Sequence, residues 1–322
     1  MSEPIVLATA ELDAYAEGVL GKFGRIKVAP DIKEATIAGM MDHVVALAVR
    51  GAAPITAAVI EKAPDLRVIG RTGVGYDSVD IAAATRRRIP VVYTPGVGSR
   101  AIGEAAMGYM LTLCKRFAYW DEQLKAGNWK SRFETQARDL DGRVLGIIGF
   151  GRIGQILAEM ARPFNMTIIA YDPLVSAERG AGLGVRMVEL EDLLTAADFI
   201  SLHCPLIPET KGLINRQRLA LVKPGTYLVN LARGAVVESL DVLHEALISG
   251  QLGGIGLDVY EPAPPDVTHP LFKLPNVLTS PHSMGTTEAA MTRIFKSMAD
   301  DMAAILRGEK PRFVVNEEVL PR

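Results

Sequence analysis

Cysteine is nearly absent from this sequence: Cys114 and Cys204 are the only two, far apart and in no CxxC spacing. That excludes a disulfide scaffold and a cysteine zinc site, and it fits a reducing cytoplasm. An excess of charge of either sign is missing as well. Lys and Arg number 35 against 37 Asp and Glu, giving a formal net charge of −2 and a pI of about 6.3. No basic surplus exists to hold a phosphate backbone, so nucleic acid is not an expected partner. No apolar run approaches the roughly 20 residues that a bilayer span needs, which leaves no expected membrane partner. The opening stretch MSEPIVLATAELD is acidic and lacks the basic and apolar regions of a signal peptide, which again points to the cytoplasm. The five histidines, His43, His203, His244, His269 and His282, show no metal-ligand spacing.

What is present is length and alternation. The 322 residues are 49% apolar and 22% charged, ordinary for a globular chain but too long for one core, so two domains are expected. Short apolar runs alternate with amphipathic stretches, the sign of βαβ units and a parallel sheet. A first series of strands is expected at Ile5–Ala8, Ile26–Ala29, Val44–Val49, Leu66–Gly70 and Val91–Tyr93, with helices opening at Pro54 and running from Val79 to Arg88. Ile102, Ala106, Tyr109, Leu113, Phe117 and Trp120 recur at helical steps, predicting one long helix from Ser99 to about Gly127. A second series follows at Val144–Ile148, Thr167–Tyr171, Phe199–Leu202, Tyr227–Asn230, Gly254–Asp258 and Val277–Thr279. A last helix runs from about Thr286 to Arg307, and Gly308 stands where a left-handed residue would end it.

The strand Val144–Ile148 leads into Gly149-Phe150-Gly151-Arg152-Ile153-Gly154 and then a helix. A bare GxGxxG is weak, but the strand before and helix after supply the context of a dinucleotide site. Gly149 suits the tight turn, Gly151 lets backbone approach a pyrophosphate, and Gly154 lets helix pack on strand. The helix N-terminus offers N–H groups and a partial positive charge to phosphates. Asp172, at the end of the next strand, stands where a carboxylate accepts from the ribose hydroxyls of NAD and repels the 2′-phosphate of NADP. NAD is the expected cofactor.

Further along, Arg233 falls just after a strand, at the carboxyl edge where open α/β sheets bind ligands. Its guanidinium either grips a carboxylate with two parallel hydrogen bonds or pairs with a surface acid. His282 also follows a short strand and is a natural proton donor to an alcohol oxygen. His203, again at a strand end, is read as a cofactor contact. His43 and His244, in helical contexts, and His269, in a proline-rich loop, are read as structural.

At this point the chain resembles the D-isomer-specific 2-hydroxyacid dehydrogenases over nearly its whole length. The resemblance is carried by RTGVGYDSVD at 71–80, YTPG and AIGE within 93–104, the glycine motif, and AADFISLHCPLIPETKGLIN at 196–215. It continues through VNLARGAVVE at 229–238, GLDVYEP at 256–262, SPHSMG at 280–285 and RFVVN at 312–316. The nearest flavour is that of phosphoglycerate, glycerate and hydroxypyruvate dehydrogenases without a C-terminal regulatory domain.

The resemblance implies two doubly wound parallel-sheet domains, flavodoxin-like and Rossmann-like, with the active site between them. The substrate domain would be 1–98 plus 288–322 and the NAD-binding domain 99–287. Arg233 and His282 match the catalytic arginine and histidine, and the amides of Val74 and Gly75 match the loop that cradles the substrate carboxylate. Cofactor contacts would come from Gly149, Gly151, Arg152, Ile153, Gly154 and Asp172. His203, Cys204, Pro205 and Thr210 would add to them, as would Leu231, Ala232, Arg233, Asp258, His282 and Gly285. The family's third catalytic residue, a Glu five positions after the aspartate of GLDV, is missing: Ala263 stands there. The implied reaction is hydride exchange between NAD(H) and a small 2-hydroxy or 2-oxo acid. A formate- or phosphite-type oxidation and an NAD(H)-sensing protein of the same fold are the alternatives. Arg50, Arg71 and Arg100 are candidates to face a substrate phosphate. Trp120, Trp129 and Phe133 offer aromatic surface for a homodimer built through the NAD-binding domain.

Overall fold

In the computed structural model, which describes residues 3–320, the chain divides into two compact units. They are Met1–Gly98 with Thr286–Arg322, and Ser99–Gly285. Unit 1 begins β1 (Ile5–Ala8), α1 (Ala14–Leu20), β2 (Arg25–Val28), α2 (Glu34–Gly39) and β3 (Val44–Val49). It continues α3 (Ala57–Glu61), β4 (Val68–Arg71), α4 (Ile81–Arg86) and β5 (Val91–Val92). The five strands are parallel in the order β2-β1-β3-β4-β5, the flavodoxin-like winding. Strands β1, β3, β4 and β5 carry the apolar runs of the sequence because helices cover both faces. Val6, Leu7, Val44, Leu47, Val68 and Ile69 have no exposed surface.

Unit 2 opens with α5 (Ser99–Lys115) and α6 (Phe117–Lys125), then β6 (Val144–Ile148), α7 (Arg152–Ala161) and β7 (Thr167–Tyr171). There follow α8 (Ala177–Gly182), β8 (Arg186–Met187), α9 (Leu190–Ala196), β9 (Phe199–Leu202) and α10 (Arg216–Leu219). The unit closes with β10 (Thr226–Asn230), α11 (Leu240–Ile248), β11 (Leu252–Leu257) and β12 (Val277–Thr279). Its seven strands are parallel in the order β12-β11-β10-β9-β6-β7-β8. Counted within the unit this is the Rossmann winding with one strand added at the edge. The chain then returns to unit 1 in α12 (Glu288–Arg307), capped by Thr287 and ended by Gly308 at φ 78. Among the described residues no helix is long and apolar enough to cross a membrane.

Four expectations need correction. The long helix from Ser99 breaks at Arg116, which is left-handed at φ 56. Its guanidinium lies 4.6 Å over the Tyr119 ring and donates to Thr135 Oγ1 at 2.5 Å. The apolar face therefore stops at Leu113, and α6 buries none of its residues. The helix expected at Pro54 opens instead at Ala57, because Thr56 caps it through Val59 N. Ile55 ahead of it is extended and bridges Val79, so Val79 is not helical either, and Asp80 caps α4. His43 lies on a turn at φ 60, not in a helix.

Candidate functional site

The glycine turn is shaped by close approaches. Gly149 is at φ +92, and a Cβ there would fall 2.5 Å from the Cys204 amide nitrogen and 2.6 Å from the His203 carbonyl carbon. Any side chain would push β6 away from the end of β9. A Cβ at Gly154 would meet the Gly149 carbonyl oxygen at 2.4 Å, so the third glycine lets α7 seat on the turn. At Gly151 a Cβ would meet nothing within 4 Å: the space before α7 is open. Gly151 and Arg152 are exposed and Ile153 is half-buried, so the first turn of this ten-residue helix faces that space with its N–H groups. Asp172, one residue past β7, is anchored beside it. Oδ2 accepts from Phe150 N at 2.8 Å and Oδ1 from Leu174 N at 3.0 Å. An open cradle at a helix N-terminus with a carboxylate held at its flank fits a dinucleotide.

The end of β9 completes this half. His203 N donates to Ile148 O at 2.7 Å, joining β9 to β6 at the point where the strand order reverses. The His203 ring bonds Ser201 Oγ through Nε2 at 2.8 Å, while Nδ1 is buried with no partner. Burial pushes this imidazole down to about 3, so it is neutral near pH 7. Burial likewise pushes the Cys204 thiol up to about 11, which makes it a packing residue and no nucleophile. Thr210 Oγ1 accepts from Ile207 N at 2.9 Å and donates to Pro205 O at 2.5 Å, closing the loop after β9 on itself.

The other half of the edge is built by side chains. Asn230, 1% exposed at the end of β10, accepts from Ala232 N at 3.0 Å and donates to Arg233 O at 2.9 Å. This clamp fixes the Leu231-Ala232-Arg233 turn, and Arg233 Nη1 donates to Ala232 O at 2.8 Å. Behind it, a Cβ at Gly234 would collide with the Tyr260 carbonyl carbon at 2.0 Å, so β10's loop presses on the chain leaving β11. Asp258, after β11, is 2% exposed and accepts from Ser280 Oγ, from Ser283 N at 2.8 Å and from Met284 N at 3.2 Å. His282 sits exposed within the segment so held, at φ 55. A Cβ at Gly285 would approach Ile102 of α5 at 3.2 Å.

Arg233 and His282 thus stand at the carboxyl ends of β10 and β12, on either side of β11, in the same unit as the glycine turn. Val74 and Gly75 belong to unit 1, in the loop after β4. That loop is stapled by Gly73 N donating to Thr94 Oγ1 at 2.8 Å, and Val74 is half exposed. Ala263 and Glu261 are exposed. The Asp266 carboxylate is engaged by Thr268 N and Oγ1 at 2.9 and 2.7 Å, and these bonds hold it below the usual carboxylate range. His269 caps its own turn, Nδ1 accepting from Leu271 N at 3.1 Å and Nε2 meeting Asp241 at 3.0 Å. No group of three or more metal-ligating side chains exists among the described residues.

Sequence reading missed Ser201, Asn230, Tyr109, Ser280 and Tyr260. Ser201 had a signal, since it shares His203's face of the strand two residues away. Asn230, Tyr260 and Ser280 stand inside the matched motifs, whereas Tyr109's bond to Ser280 spans 171 positions and has no local signal.

Comparison with known proteins agrees with this geometry. The model of the D-isomer specific 2-hydroxyacid dehydrogenase NAD-binding domain matches residues 107–284. The chain is 38% identical to the D-3-phosphoglycerate dehydrogenase of Methanocaldococcus jannaschii over 98% of its own length, and spans 60% of the length of that relative. It is 40% identical to the hydroxypyruvate reductase of Thermotoga maritima over 77% of this chain and 80% of that one. The solved structure of Aquifex aeolicus D-lactate dehydrogenase with NAD and lactic acid superposes at a TM-score of 0.85 and 27% identity, covering 95% of this chain and 96% of that chain.

Proposed function

The chain belongs to the D-isomer specific 2-hydroxyacid dehydrogenase family, and from that premise we propose that it interconverts a small D-2-hydroxy acid and its 2-oxo acid. Its cofactor is NAD, which when bound supplies or accepts the hydride. The observation that carries the reading is the shared edge: Arg233 and His282 follow β10 and β12 in the same sheet whose β6 ends in the glycine turn.

In the reducing direction Arg233 grips the substrate carboxylate in a fixed plane through two parallel donors. The amides of Val74 and Gly75 keep their assignment as substrate contacts by motif. His282 gives its proton to the oxygen of the reduced carbonyl. Orientation and charge stabilisation by these groups supply most of the acceleration. On the cofactor side, the open N-terminus of α7 holds the pyrophosphate and Asp172 takes the ribose hydroxyls. His203 to Pro205, Thr210, Leu231, Ala232, Asp258 and Gly285 complete the cofactor contacts by motif.

The substrate is sought among the acids that the names of the relatives supply. NADH oxidation with hydroxypyruvate, glyoxylate, pyruvate and 3-phosphohydroxypyruvate tests the reading, and turnover with one of them is the expected result. Ala263 at the position of the family's Glu favours a second reading, an NAD(H) sensor without turnover. Tight NADH binding with none of these acids reduced would decide for it.

The assembly we propose is a cytoplasmic homodimer. Both thiols are free and buried, as suits a reducing compartment. Phe117, Leu124, Trp129 and Phe133 are 55–77% exposed around α6 and the turn at Trp129–Phe133. Apolar surface of that kind marks an interface. Light scattering at micromolar protein is expected to give twice the 34.7 kDa chain mass; the mass of a single chain would overturn the dimer.

A further inference from the structure

The segment bearing His282 is held from below by a residue that no cofactor or substrate motif includes. Tyr109 lies on α5 with its ring against β11, where a Cβ at Gly256 would come within 2.7 Å of ring Cδ1. Glycine at 256 makes the space that the ring fills. The Tyr109 hydroxyl stands 2.6 Å from Ser280 Oγ, with Leu257 O a weaker contact at 3.3 Å. Ser280 Oγ has one proton and gives it to Asp258 Oδ1 at 2.5 Å, so Tyr109 is the donor in the 2.6 Å pair. Asp258 in turn accepts the amides of Ser283 and Met284. From another side Tyr260 Oη lies 3.0 Å from both Leu257 O and Ser280 O. Burial raises both phenols, Tyr260 to about 12, so both remain donors at neutral pH.

We propose that Tyr109 is a positioning residue for His282, fixing through Ser280 and Asp258 the backbone of segment 280–284 and with it the aim of the imidazole. The chain needs such a device because His282 is at φ 55, a conformation that a residue with a Cβ keeps only when its surroundings over-determine it. The relay supplies that constraint through the main chain. The inference rests on the reading of His282 as proton donor, and its test has one arm that does not.

Tyr109→Phe keeps the ring on Gly256 and removes only the donor. With whichever 2-oxo acid the parent reduces, kcat is expected to fall about tenfold while the Kd for NADH, read by fluorescence, stays within about twofold. Ser280→Ala should do the same and Ser280→Thr, which keeps a hydroxyl, should restore most of the rate. The double variant Tyr109→Phe with Ser280→Ala should be no slower than Ser280→Ala alone, because both cut one relay. The independent arm is the His282 ring signal in proton NMR, assigned by its loss in His282→Gln. It should shift in Tyr109→Phe and in Ser280→Ala while the signals of His43, His244 and His269 stay in place. Parental kcat in Tyr109→Phe, multiplying losses in the double variant, or an unmoved His282 signal overturns the proposal. A parent that binds NADH but reduces nothing overturns the dehydrogenase reading, and the NMR arm then judges the relay alone. If Tyr109→Phe fails to fold, the Ser280→Ala and Ser280→Thr pair decides by the same signal.

Discussion

The two sheets follow one topological rule and treat it in opposite ways. Each has a point where the strand order reverses and a crevice opens at the carboxyl ends. In unit 1 that point lies between β1 and β3, and Thr9 bridges it: its Oγ1 accepts from Arg50 N at 2.8 Å and donates to Arg50 O at 3.2 Å. In unit 2 it lies between β6 and β9, where Gly149 lets the backbone of His203 and Cys204 approach without a Cβ between them, with the open space at Gly151 beside it. Winding provides the crevice in both units. At unit 1's reversal a hydroxyl ties the two strand ends together, and at unit 2's a glycine lets them pack backbone against backbone.

The sharpest way to break this contrast is to give unit 2 a side chain at its reversal. Gly149→Ala forces a Cβ to 2.5 Å from the Cys204 nitrogen at φ +92. Strain and displaced backbone together should cost about 3–5 kcal/mol. Gly151→Ala, with nothing within 4 Å, should change stability by less than about 0.5 kcal/mol while weakening NADH. Urea unfolding and NADH titration of both variants check this. Equal stabilities would mean that the close approach at Gly149 relaxes freely.

The contrast also explains which parts were legible. The glycine turn is a local backbone device, so its residues are adjacent in sequence and its strand and helix flank it. Arg233 and His282 were found because each directly follows an apolar run. Tyr109 and Ser280 lie 171 positions apart and meet only because α5 packs on β11, a contact that no window of sequence contains. Thr9 and Arg50 are hidden for the same reason. The break at Arg116 was missed because the apolar period runs straight through it with no glycine or proline to mark it. What stops the helix there is the left-handed backbone of an arginine tied to Thr135 and stacked on Tyr119.

A smaller effect asks whether a side chain adds selectivity to the backbone cradle. Asp172 should be worth about ten- to a hundredfold in the preference of kcat/KM for NAD over NADP, since a charge repelled by the 2′-phosphate and its ribose bonds vanish together in Asp172→Ala. Asp172 also anchors Phe150 N. Asp172→Asn, which retains an acceptor there, separates the charge from the anchor. An unchanged preference in both variants would remove Asp172 from cofactor choice.

The last test concerns His203, the imidazole at unit 2's reversal. His203 has its ring against Ser201 and a buried, unpartnered Nδ1, and burial lowers its pKa from 6.5 to about 3. The unfolded chain takes up a proton below about 6.5 that the folded chain refuses until about 3. The unfolded state therefore binds more protons between these values, and stability rises with pH across the window and falls on acidification. Below about 3 both states are protonated and the loss stops. The slope from this single group approaches about 1.4 kcal/mol per pH unit in the middle of the window. Carboxylates titrate there too, so the measurement is a difference: urea unfolding of the parent and of His203→Gln at pH 6, 5 and 4. Glutamine can still reach Ser201 and carries no proton equilibrium. The parent should lose stability faster than the variant by about that slope. Parallel curves would show that His203 takes its proton in the folded state, which would mean that water or a hydrogen-bond acceptor reaches Nδ1 and that the crevice beneath Gly149 is wetter than its packing implies.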